Sequence, residues 1–247
     1  MIKLSRDFTP TYLNPNKVIE LTSLFVDTSK SVWNTPEIKE SLLALSNDKC
    51  AYCECKLNYE SNYLEVEHFE DKSHYPEKVV VWENLLPSCK RCNGSKGFHN
   101  VNDEPIINPF VEDPKIHLRL RCYRLKGKTT LGQATIDVID LNNSARSVYK
   151  RFEIGNAILE TLEDIKYKIG CYREKQSTRM KNKILGSTEA LLLECQPTAA
   201  YTATSASVLH SNSDYVEIRN TLKSLEIWAQ ELEELHNNSK RFVLDFI

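Results

Sequence analysis

Apolar positions recur at spacings of three and four in the C-terminal part of the chain. Ile154, Ile158, Leu162, Ile165 and Ile169 make one such stripe, and Ile218, Leu222, Leu225, Ala229 and Leu232 make another. That period belongs to helices with one buried face. The pattern predicts a helical region opening at Leu141-Asn142-Asn143-Ser144, a second helix over 173–195 and a last long one over about 214–236. The second is basic at first and apolar at Leu191 to Leu193, while 196–214, rich in Ser, Thr and Ala, fits no period.

The first half reads differently. S-N-Y-L-E-V-E-H-F-E, 61–70, alternates as a strand does and puts Leu64, Val66 and His68 on one face. V-V-V-W-E-N-L-L-P-S-C, 79–89, begins with β-branched and aromatic residues. Residues 116–136 alternate and contain L-K-G-K, which predicts a β-hairpin. I-K-E-S-L-L-A-L, 38–45, predicts a helix, with Thr35 as N-cap and Pro36 at the first helical position. Three prolines in 105–114 predict an extended linker. The expected architecture is α+β. A lead-in covers 1–46, a compact motif-rich core 47–104, and a hairpin with a helical region 105–247. Tyr215 and Trp228 beside the last stripe suit that region to partner docking.

Composition narrows the class. The chain has 247 residues, 41% hydrophobic and 27% charged, as soluble globular proteins do. No apolar run approaches the ~20 residues a bilayer span needs. The start, M-I-K-L-S-R-D-F-T-P, lacks the apolar centre of a secretory signal, so a cytosolic protein is expected. The net charge of −2 argues against a general nucleic-acid coat. One run without acidic residues, P-K-I-H-L-R-L-R-C-Y-R-L-K-G-K at 114–128, is a candidate basic surface. Within it Arg119 and Arg121 share a strand face that could follow a nucleic-acid backbone or simply face solvent.

The eight cysteines divide into two classes. Cys50, Cys53, Cys89 and Cys92 form two C-x2-C pairs, whereas Cys55, Cys122, Cys171 and Cys195 are scattered. Paired thiolates at this spacing point to a structural zinc. Cys55 is the alternative to Cys53, disfavoured because one intervening residue makes a poor chelate turn. Lys49, Lys90 and Arg91 lie where cations would offset the thiolate charge. Such an ion staples a segment too small to bury an adequate core.

Between the pairs stand Glu67, His68 and Asn84, and Asn93 follows the last cysteine. If the zinc holds the strand of Glu67 against the turn of Asn93, their oxygens suit a hard divalent cation such as Mg2+ or Mn2+. His68 is then free to act as a base on water, and Asn84 can tie the connecting loop and so orient the imidazole. Lys96 is a candidate contact for a backbone phosphate. His74 is a rival accessory ligand.

The pattern C-A-Y-C … E-V-E-H-F … W-E-N-L-L-P-S-C-K-R-C-N-G-S-K-G resembles the HNH nuclease family, with its ββα-metal core. The resemblance implies His68 as general base, Glu67 and Asn93 as ligands of the catalytic ion, and Asn84 as the structural middle asparagine. A wider likeness, through N-P-F-V-E-D-P-K-I-H-L over 108–118, is to the PtuB-type nucleases of Septu and retron-associated anti-phage systems. That likeness implies an ABC-type ATPase partner, PtuA, and DNA or structured RNA, including tRNA, as substrate. Two other readings remain: a zinc-knuckle module that binds nucleic acid or protein without cutting, and a toxin-like effector silent until a partner releases it.

Overall fold

The computed structural model describes residues 1–58 and 63–246. Among them no helix is long and apolar enough to cross a membrane. The chain divides into two compact units, 1–118 with 126–142 and 119–125 with 143–247. The lead-in therefore belongs to the same unit as the motif-rich core, and the division falls later than residue 104.

The first unit begins with a helix that the sequence did not announce, α1 (Pro15–Thr28), capped by the Asn14 side chain on Lys17 N. Helix α2 (Pro36–Ser46) starts as expected, with Thr35 accepting from Ile38 N and proline at its first turn. Strand β1 (Leu64–His68) pairs antiparallel with β2 (Leu85–Cys89), from Leu64 opposite Cys89 to His68 opposite Leu85. Residues 61 and 62 of the expected strand lie outside the described residues. β2 starts later than 79, because Trp82–Asn84 form a 3-10 turn. Helix α3 (Lys90–Lys96) follows β2 without a gap, which completes a ββα unit. Val66, Val79, Val80, Trp82 and Leu85 pack with Ile38 and Leu42 of α2 and Leu21 of α1. The two strands thereby gain the apolar backing that a lone hairpin lacks.

Residues 105–114 are not a free linker. Ile106 and Ile107 are buried, Ile107 N donates to Thr135 Oγ1, and Pro109 O accepts from Leu4 N. A single turn, α4 (Pro114–His117), precedes the hairpin of β3 (Leu118–Arg121) and β4 (Arg124–Gly127). The hairpin turns at Cys122-Tyr123, both at positive φ, rather than at the glycine. It also ends earlier than residue 136, because Thr129 caps helix α5 (Thr130–Ile139), which lies against α3. Local capping chemistry overrode the alternating pattern there.

The second unit is helical: α6 (Tyr149–Glu174), α7 (Thr178–Leu193), α8 (Thr202–Ser211), α9 (Ser213–Ser224) and α10 (Gln230–Ser239), with a short β5 (Asp245–Phe246) parallel to β3. Its core holds Ile158, Leu162, Ile165 and Ile169 against Leu192, Leu209, Ile218 and Leu222. Helix α8 is buried from Thr202 to Leu209. A helix buried all round carries no amphipathic period, which is why 196–214 fitted none. The expected last helix is broken in two. Ile227 N and Trp228 N both donate to Leu222 O, and Glu226 takes φ of 57°.

Candidate active site

The four paired thiols converge. The Sγ atoms of Cys50, Cys53, Cys89 and Cys92 all lie within 4.8 Å of one another, and all four residues are buried. Cys53 and Cys89 sulfurs are 3.8 Å apart. A tetrahedral zinc with bonds of about 2.3 Å places its sulfurs about 3.8 Å apart, so the donor set fits. Cys55 is buried nearby but stands outside this cluster. Ala51 N donates to Pro87 O at 2.8 Å, which joins the first knuckle to β2. The guanidinium of Arg91 reaches Cys92 Sγ at 3.9 Å and offsets thiolate charge.

His68 ends β1 and is 3% exposed. Its Nε2 lies 2.9 Å from Val79 O. A carbonyl oxygen can only accept, so Nε2 carries the proton and Nδ1 of the neutral ring keeps its lone pair. Trp33 meets the imidazole edge-on at 4.8 Å between centroids. Burial holds the ring's pKa down at about 4. The Asn84 amide ties the loop that supplies Val79. Its Nδ2 donates to Glu70 O at 3.0 Å and to Lys78 O at 3.1 Å, and its Oδ1 accepts from Glu70 N at 2.7 Å. Asn84 thus fixes the carbonyl of Lys78, next to the one that receives His68.

Strand alternation puts Glu65 and Glu67 on the side of β1 opposite Val66. Glu67 is 2% exposed, and its Oε1 lies 2.7 Å from Lys96 Nζ. The contact is off the line of a hydrogen bond, so Oε1 is buried without one. Burial raises the carboxyl pKa to about 7, with Lys96 pulling the other way. Asn93, on α3, donates from Nδ2 to Glu65 Oε2 at 2.7 Å. Its Oδ1 accepts from no described residue.

Lys96 differs from the phosphate contact expected. Its side chain is fully buried, and it donates to His68 O at 2.9 Å as well as facing Glu67. In this arrangement it reaches no external phosphate. It is an internal cation that the N-G-S-K spacing brings back under β1.

Glu67, His68 and Asn93 border one cleft of about 470 Å3, together with Glu65, Asp71, Lys72, Lys90, Trp33 and Phe98. Sequence reasoning passed over Glu65, Lys72 and Trp33. Only the alternation of E-V-E-H could have singled out Glu65. Phe98 is 75% exposed at the rim. An oxygen set of one carboxylate and one amide suits a hard divalent cation, which Glu67 would take up in place of the Lys96 ammonium. A larger hollow of about 720 Å3 lies behind Asn84, around Glu70, Lys78 and Asn102, but lacks this set. Arg119 and Arg121 belong to the second unit; Arg121 is exposed and Arg119 is half-buried.

The HNH endonuclease family matches residues 50–99, the span from the first thiol through α3. A Septu protein PtuB of Bacillus thuringiensis is 45% identical over 246 residues, covering 99% of this chain and 95% of that one. The chain belongs to the PtuB family. It is an HNH-type nuclease. A second PtuB, from Bacillus mycoides (strain KBAB4), is 25% identical and covers 97% of this chain and all of its own length. Protein ea31 of Escherichia phage lambda is 36% identical over 76 residues, 30% of this chain and 24% of that protein. No solved structure matches. Membership of the PtuB family extends over both units, whereas the HNH match covers only the ββα segment and its knuckles.

Proposed function

We propose that this chain is the effector nuclease of a Septu-type anti-phage system and hydrolyses nucleic-acid phosphodiesters with a divalent cation. The observation that carries this reading is the convergence of Glu67, His68 and Asn93 on one cleft beside four clustered thiols. Glu67 and Asn93 would hold Mg2+ or Mn2+. Such an ion, when bound, withdraws charge from a phosphate oxygen and stabilises the leaving oxyanion. His68 takes a proton from attacking water at Nδ1, since Nε2 is engaged by Val79 O. Asn84 holds the loop that presents that carbonyl. Lys72 and Lys90, on the cleft walls, are placed to meet backbone phosphates.

The relatives' name supports a role in a Septu system; an ABC-type ATPase as partner and a retron assembly rest on family likeness alone. Substrate choice between DNA and structured RNA does not follow from this kit, which ignores the sugar. The test is to incubate the protein with its ATPase partner, Mg2+ and both DNA and total RNA, then map the ends. Products with 5′-phosphate and 3′-hydroxyl are expected: water attacks phosphorus, the P–O3′ bond breaks and the 3′-oxygen leaves, with no cyclic phosphate. RNA ends carrying 2′,3′-cyclic phosphate would overturn the mechanism. No cleavage under any of these conditions would favour a binding module.

A further inference from the structure

We propose that Glu65 is a positioning residue that sets which end of the Asn93 amide enters the cleft. The proposal rests on the reading of Asn93 as a ligand of the catalytic ion. An amide side chain has one end that can bind a cation and one that repels it. Rotation of the Asn93 side chain by half a turn would exchange them. Glu65 prevents this. Its Oε2 accepts from Asn93 Nδ2 at 2.7 Å. A carboxylate accepts and does not donate when ionised, so it selects the nitrogen and turns Oδ1 away from itself. Asn93 borders the cleft with Glu67, and its Oδ1 accepts no bond from a described residue.

Geometry explains why this residue can do so. Glu65 and Glu67 are two apart on β1 and so share the side facing α3, which contacts both strands. Glu67 is buried, whereas Glu65 is half-buried. Glu67 is held by the Lys96 ammonium and Glu65 by the Asn93 amide. The two carboxylates therefore have separate tasks: one is offered to the ion, and the other orders the second ligand. Partners that orient metal ligands contribute about 10- to 100-fold in affinity.

The test is a double-mutant cycle read by Mn2+ affinity, on the zinc-loaded full-length protein without nucleic acid. Electron paramagnetic resonance reports free Mn2+. Glu65→Ala is expected to weaken binding about 10-fold or more, and Glu65→Gln to weaken it as well, because its amide end can donate to Asn93 Oδ1 and no longer selects the nitrogen. An aspartate at position 93 offers oxygen from either end and needs no orientation. In the Asn93→Asp background Glu65→Ala is therefore expected to change affinity by less than about 2-fold. Equal losses in both backgrounds would overturn the proposal and make Glu65 a direct ligand or a general structural support. If Asn93→Ala leaves Mn2+ affinity unchanged, the ligand reading of Asn93 fails first and the role of Glu65 falls with it. Zinc content of one per chain in each variant shows that the frame is intact.

Discussion

Replacing His68 by alanine is expected to lower the cleavage rate by about 100- to 10,000-fold, the range for loss of a general base. Zinc content and Mn2+ binding should persist, because His68 belongs to neither ligand set. Some stability will be lost, since a buried ring and its bond to Val79 O disappear. Single-turnover rates on protein shown folded by thermal melting separate these effects. The same residue has a pH signature. Its folded pKa is depressed to about 4 by burial, against 6.5 for a free imidazole. The neutral ring therefore supports the fold fully above pH 6.5, and that support fades as pH falls through 4. The base should likewise stay deprotonated well below pH 6.5. Near-native rates in the alanine variant would remove His68 from the chemistry.

Removing the zinc should unfold the first unit. Structural zinc sites contribute about 10–16 kcal/mol of apparent binding free energy, comparable to the whole stability of a domain, about 5–15 kcal/mol. Here an ion on the four thiols would join the knuckle at Cys50 and Cys53 to the end of β2 and the first turn of α3. Without it, four buried thiols are left in a short ββα segment, and α3 loses its tether to the knuckle. A strong chelator, or Cys89→Ser, is expected to abolish hydrogen-exchange protection across β1, β2 and α3 together with cleavage. Helices α6 to α10 should keep theirs, because their core is their own. A protein with no zinc by elemental analysis and undiminished protection in β1 and β2 would contradict the staple.

The clustering of the four thiols and the meeting of Glu67, His68 and Asn93 at one cleft were legible because each depends on spacing. Two C-x2-C pairs admit few other readings, and E-V-E-H with C-N-G-S-K-G places oxygen, imidazole and amide at fixed offsets. Helix α6 and the first part of the last expected helix, α9, were legible from their apolar stripes. What escaped had a physical reason. Helix α1 has only Leu21 buried, so its period was too sparse to stand out. Helix α8 is buried on every side and has no period. The break between α9 and α10 depends on Leu222 O accepting two amides, a tertiary feature with no local signature. The burial of Lys96 was illegible for a like reason: a lysine three residues past Asn93 reads as solvated until β1 is laid over α3. Glu65 was visible in the motif, but its bond to Asn93 needed the strand register.

The central claim is that one cleft holds a divalent cation between Glu67 and Asn93 while zinc stays on the thiolates. Crystals of the zinc-loaded protein soaked in Mn2+, with diffraction recorded at the manganese and zinc edges, test it most directly. A manganese peak bonded to the Glu67 carboxylate and Asn93 Oδ1 is expected, with a separate zinc peak among Cys50, Cys53, Cys89 and Cys92. Manganese bound elsewhere in a protein that cuts nucleic acid, with Glu67 still closed on Lys96, would contradict it.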